Sequence, residues 1–165
     1  MNFSSAATNK LLPVFNGGRG SATPQFYQER GSADKDVVTR NLAELAVFPV
    51  REALKGLVGL PANWDGFGSD APAAEAIGSA FQLIVEIYRQ SASCVHASWV
   101  NPHVSASESG EVVFEWWKRD RKLTVYVSAG RAEFLRVGGP NIDVDMEDGE
   151  LVGAQFVGLW FWLNA

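Results

Sequence analysis

The hydrophobic period of this chain changes once, near Cys94, and that change limits the fold more than any single motif. From Asp36 to Tyr88 apolar residues recur at spacings of three and four, as in helices with one buried stripe. Val37, Val38, Leu42, Leu45 and Ala46 outline the first helix. Val50, Ala53, Leu54, Leu57 and Val58 outline a second, which Pro49 opens and Gly59 stops. Ile77, Phe81, Ile84, Val85 and Tyr88 outline a third, over Ala73 to Tyr88, ended by Ser91 and Ser93.

Beyond Cys94 the period drops to two. Glu111–Trp117, Lys122–Ser128 and Arg131–Val137 are rich in β-branched and aromatic residues and are separated by the short turns Arg119-Asp120 and Ala129-Gly130. They predict an antiparallel meander with Val112, Phe114 and Trp116 on one face of its first strand and Leu123, Val125 and Val127 on one face of its second. An earlier strand around His96 to Ser105 is expected to join them through a turn at Glu108 to Gly110. Gly149 to Leu163 is ambiguous. Leu151, Phe156, Leu159, Trp160 and Leu163 suit a helix, Gly153 and Gly158 weaken it, and a terminal helix is favoured over a strand. Helices first and strands later predict an α+β class: two or three N-terminal helices, an antiparallel sheet of about four strands and a C-terminal helix.

Two segments are expected: a flexible N-terminal arm over 1–35 and one α+β domain over 36–165. The arm is polar and glycine-rich and cannot offset its own ordering by burial. It nevertheless carries Leu12, Phe15, Phe26 and Tyr27, which are candidates for burial against a partner. The domain has material for an aromatic core, since the 165-residue chain is 47% hydrophobic with six Trp and ten Phe.

Composition narrows the function. A net charge of −5 argues against binding nucleic acid by blanket phosphate neutralisation. One Cys and two His leave no disulfide framework and no expected zinc site, and no cofactor is expected. Met1 to Phe15 does not read as a secretory signal, and the apolar Val152 to Leu163 is too short to span a bilayer, so a cytoplasmic protein is expected.

Two connections concentrate chemistry. Leu60 to Pro72 holds Asn63, Trp64, Asp65, Phe67 and Asp70 between two expected helices. Each has a structural use: Asp65-Gly66 for a turn with positive φ, Asp70 as a helix cap assisted by Glu75, Trp64 for burial. The other use is a binding loop, since binding residues concentrate on loops held by rigid scaffolds. The second connection crowds Lys118, Arg119, Arg121 and Lys122 beside Trp117. Basic and aromatic residues together suit single-stranded nucleic acid, while charges beside a sticky strand also act as gatekeepers. The acidic run Asp143, Asp145, Glu147, Asp148 and Glu150 lacks the spaced ligands and central glycine of a calcium loop and better suits a surface that mimics nucleic acid or meets a basic partner. His96 and His103, seven apart, would face opposite sides of a strand, and Cys94 is read as a small hydrophobe.

The Asn63-Trp64-Asp65-Gly66-x-Gly68 segment, with Pro72 before a helix and Pro102, Glu115 and Trp116 downstream, resembles a motif of small uncharacterised bacterial and phage-associated proteins. That resemblance implies no activity. It implies an association with mobile elements, and with it an antitoxin, an immunity protein or an inhibitor of bacterial defence. The leading expectation is therefore a non-enzymatic cytoplasmic binding protein that inhibits or neutralises a macromolecular partner, most simply a protein. One alternative is a small hydrolase or ligand-binding domain using Trp64 to Asp70. Another is a nucleic-acid-binding accessory protein using Lys118 to Lys122.

Overall fold

The computed structural model describes residue 38, residues 41–92 and residues 98–165. The arm, with Leu12, Phe15, Phe26 and Tyr27, lies outside the described residues, as do Val37, Cys94 and His96.

Residues 41–46 form α1, and a turn at Val47 separates it from α2, Phe48–Leu57, whose first turn contains Pro49. Proline is tolerated there because the N–H it lacks would have no helical partner anyway. Helix α3 is Ala74–Ala92. A meander follows: β1, His103–Ala106; β2, Val112–Lys118; β3, Arg121–Ser128; and β4, Arg131–Val137. A short α4, Ile142–Asp145, leads into β5, Met146–Glu150, and α5, Gln155–Asn164, closes the chain. The α+β class holds, with five strands in the order β1-β2-β3-β4-β5, every neighbouring pair antiparallel.

Register divides the sheet into two unlike faces. Val104 pairs with Phe114, Phe114 with Val125, and Val125 with Phe134, so these share a face with Val112, Trp116, Leu123 and Val127. That face meets α3 and α5 and carries the core, in which Val112, Phe114, Leu123 and Val125 are fully buried. The opposite face presents Val113, Glu115, Trp117, Lys122, Thr124, Tyr126, Glu133 and Leu135. An aromatic cluster closes one end of the core. Phe156 stacks on Trp160 at 5.8 Å, Trp116 meets Trp160 edge-on at 6.3 Å, and Trp99 lies 5.4 Å from Trp160. Trp116 Nε1 donates to the Val100 carbonyl at 2.9 Å, so its polar end is satisfied within the core.

Several helix faces differ from the expected stripes. In α3 the buried line is Ala76, Ala80, Ile84, Ile87 and Ser91, with Ile77, Phe81, Val85 and Tyr88 half-buried at its flanks. The alanines at its centre have little side chain to hold the helix off the sheet. In α1 the buried residue is Ala43, followed by Val47 in the turn, while Leu42 and Leu45, like Val38, face solvent, Leu45 at 70% exposure. In α2 Val50, Leu54 and Leu57 are buried, but Val58 and Ala53 are not. Periodicity locates a stripe, but it does not say which side of that stripe the neighbouring elements cover.

The C-terminal segment is split. Gly149 and Glu150 belong to β5, and the helix begins at Gln155 with Phe156, Leu159, Trp160 and Leu163 buried. Strand β5 is the element that sequence reasoning missed, because Met-Glu-Asp-Gly-Glu has no apolar alternation to reveal it. The expected strand at His96 to Ser105 reduces to β1, and Ser98 to Pro102 are irregular.

Candidate functional site

The Asn63 to Asp70 loop closes on itself. Asn63 sits at φ 62°, Gly66 at 80° and Gly68 at 95°, a left-handed sequence that curls the backbone into a tight knot. Glycine adopts such angles at no steric cost, and asparagine is among the few other residues that tolerate them. The side chains then bond inward. Asn63 Oδ1 accepts from Gly68 N–H at 2.7 Å, and Asp65 Oδ1 accepts from Phe67 N–H at 2.9 Å. Asp65 Oδ2 accepts from the hydroxyl of Ser69, which is buried. The Ser69 carbonyl in turn accepts from Asn63 N–H at 2.6 Å. The Ser69 hydroxyl and then the Phe67 N–H hold the Asp65 carboxyl below its ordinary range, by bonding to its charged form.

This knot is anchored to the sheet. Asp70 N–H donates to the Glu108 carbonyl in the β1–β2 turn at 2.8 Å. Gly110, at φ 75°, lies so close that a β-carbon there would meet the Ala71 carbonyl oxygen at 2.8 Å. Asp70 does not cap α3. The first helical bond runs from Ile77 N–H to the Ala73 carbonyl, four residues before Ile77, which makes Ala73 the capping position. Trp64 is half-buried, and its Nε1 is shut off from solvent with no partner among the described residues. Phe67 is the large apolar side chain that the loop leaves in solvent, 94% exposed.

The basic hairpin is organised differently. Arg119, at φ 57°, opens its two-residue turn, and the cations on either side reach to other elements. Lys118 Nζ donates to Asn164 Oδ1 at 2.7 Å, and the Arg121 guanidinium donates to the Trp162 carbonyl while lying over the Trp162 ring. Both contacts are at the C-terminal end of α5, where unpaired carbonyls and the negative end of the helix dipole favour cations. Lys122 pairs with Glu115 and lies 5.5 Å from the Trp117 ring centre. Trp117 is 56% exposed, with His103 beside it at 6.0 Å. Three of the four cations thus have partners within the domain.

The acidic run is also placed. Asp143 and Asp145 lie in α4, while Glu147, Asp148 and Glu150 lie on β5, the outer strand of the sheet. Among the described residues, no group of three or more His, Cys, Asp or Glu is placed to hold a metal ion. No helix among them is long and apolar enough to cross a membrane.

Fold and loop together define an α+β domain with a helix-covered antiparallel meander and a hydrogen-bonded loop that projects one aromatic side chain. Compared with protein-family models, with curated proteins and with solved structures, the chain matches none.

Proposed function

We propose that this chain is a non-enzymatic cytoplasmic protein that binds and neutralises a protein partner through the Asn63 to Asp70 loop, in the manner of an antitoxin or a phage-encoded inhibitor of defence. The observation that carries the proposal is Phe67. A phenylalanine 94% exposed leaves nearly all of its apolar surface in water, while Asp65 and Asn63 accept from the N–H groups of Phe67 and Gly68 and so hold its backbone. An aromatic side chain with only two rotatable bonds on a hydrogen-bonded backbone is an efficient binding anchor, because little conformational freedom is lost when a partner covers it.

The same geometry supports binding over catalysis at this loop. Both Asp65 oxygens accept hydrogen bonds from the loop, and the lowered carboxyl affinity for protons is opposite to what a general acid at neutral pH needs. At the hairpin, the pairing of Lys118, Arg121 and Lys122 within the domain supports a structural use of those charges over phosphate contacts.

The test is photo-crosslinking from a benzophenone side chain at position 67 in host lysate, followed by titration of the captured protein, once purified, with parent and Phe67→Ser. The variant is expected to melt like the parent and to bind at least about tenfold more weakly, as hot-spot truncations do. The partner's own activity is expected to fall when the parent is added. Equal affinity of the variant removes the loop from the interface, and an unaffected partner activity removes the inhibitory role.

A further inference from the structure

Strand β5 is an outer edge of the sheet among the described residues, and its hydrogen-bonding groups and charges both define what fits it. Its phase on β4 is set at its two ends, where Leu151 N–H donates to the Ala132 carbonyl at 2.8 Å and Gly138 N–H donates to the Asp145 carbonyl at 2.9 Å. Antiparallel strands alternate between bonded and non-bonded pairs, so Glu147 and Gly149 also bond to β4. Met146, Asp148 and Glu150 therefore turn their N–H and C=O groups outward, away from the sheet. These three residues are exposed, and among the described residues no further strand of the sheet lies beyond them.

Their side chains lie on the sheet face opposite the core. Glu150 stands directly across from Glu133, and Asp148 across from Leu135. Glu133 and Glu150 form a non-bonded pair, the kind that brings side chains closest, and like charges there are destabilising. Arg131 pairs with Glu133, but Glu150 and Asp148 have no ion pair among the described residues. Beside them is an open depression of about 430 Å³ lined by Tyr126, Leu135, Arg131 and the carboxylates of Glu133, Asp148 and Glu150. Arg131 is taken up by Glu133, which leaves Asp148 and Glu150 as the carboxylates open to a further cation. Tyr126 and Leu135 beside these two carboxylates match a lysine or arginine side chain, with its alkyl stem on the apolar residues and its charge near the oxygens of Asp148 and Glu150.

We infer that β5 is a docking edge for an extended basic segment of a partner protein, which adds as an antiparallel sixth strand with Lys or Arg opposite Met146, Asp148 and Glu150. Backbone pairing supplies the fit, and alternate cations supply the selection. A second copy of the chain is disfavoured at the same edge, since it would bring Glu147, Asp148 and Glu150 against themselves. This surface is separate from Phe67 and does not depend on the loop being a binding site.

The probe is acetyl-Lys-Val-Lys-Val-Lys-amide, titrated against the intact protein at low salt by fluorescence anisotropy and by amide exchange. Binding is expected to slow exchange at Met146, Asp148 and Glu150 more than at Glu147 and Gly149, whose N–H groups already bond to β4. In antiparallel pairing the lysine amides face β5. N-methylation of the central lysine amide should then weaken binding about tenfold, whereas N-methylation of a valine amide should leave it unchanged. The isosteric pair Asp148→Asn and Glu150→Gln is expected to weaken binding about fivefold, in line with exposed charge pairs. Three results each overturn the inference: no binding, equal binding of the lysine-methylated peptide, or equal binding of acetyl-Glu-Val-Glu-Val-Glu-amide.

Discussion

The Asn63 to Asp70 loop and the Lys118 to Lys122 hairpin are both short connections crowded with polar and aromatic residues, yet they use them in opposite directions. The loop bonds its polar side chains to its own backbone within a few residues and turns Phe67 outward. The hairpin sends Lys118 and Arg121 to α5, far along the chain, and keeps Trp116 inside while Trp117 stays half out. Local closure frees an apolar side chain for a partner. Long-range closure ties basic side chains that would otherwise have been available to phosphate. Similar composition thus leads to different readings once the bonding partners are known.

The sharpest way to break this contrast uses the adjacent tryptophans of β2. Trp116→Ala should cost about 4 kcal/mol, because it empties a site in the aromatic cluster. Trp117→Ala should cost less than about 1 kcal/mol, which is the scale of an exposed cation–π contact. Chemical denaturation of both variants checks this, and equal losses would mean that the hairpin's outer face is packed.

Docking of the loop comes next in size. Gly110→Ala should cost about 3 kcal/mol, combining left-handed strain with the approach of its new methyl group to the Ala71 carbonyl. Gly130→Ala, at φ 73° in open space, should cost only about 1 kcal/mol. Thermal melts should rank them in that order, and a reversal would show that the loop does not depend on the β1–β2 turn.

Smaller effects are expected at the hairpin. Arg121→Ala should cost about 1 to 2 kcal/mol and speed amide exchange in the last turn of α5, since it removes a carbonyl partner and a ring contact together. Lys118→Ala, which removes one exposed bond, should cost about 0.5 kcal/mol. Arg119→Gly should be neutral or slightly stabilising, because the turn needs positive φ there.

The smallest effect is expected in acid. The Asp65 carboxyl is held below its ordinary range in the folded protein, so its contribution is complete above that range and is lost as pH falls through the depressed folded value. Asp65→Asn should therefore be less stable than the parent at neutral pH, and the difference should shrink in strong acid. A constant difference across pH would show that the charge on Asp65 does not hold the loop.

How much of this was legible in advance depended on the distance over which each feature is decided. The sequence by itself determined the α+β class, the three central strands and their turns, the place of Pro49 in the first turn of α2 and the positive φ at Gly66. Periods of two and of three to four, proline and Asp-Gly are local signals that act within a few residues. Tertiary structure alone decided which flank of each helix is buried, that Ala76 and Ala80 and not Phe81 line the centre of α3, and that Asp70 ties the loop to the β1–β2 turn instead of capping a helix. It also made a strand of Met146–Glu150, where the sequence is acidic and carries no alternation. The exposed backbone of β4 supplied the pairing, since unpaired N–H and C=O groups at a sheet edge reward any chain that returns alongside. A short connection through α4 brought these residues back, and their charges then settled on the outer edge, where water can reach them.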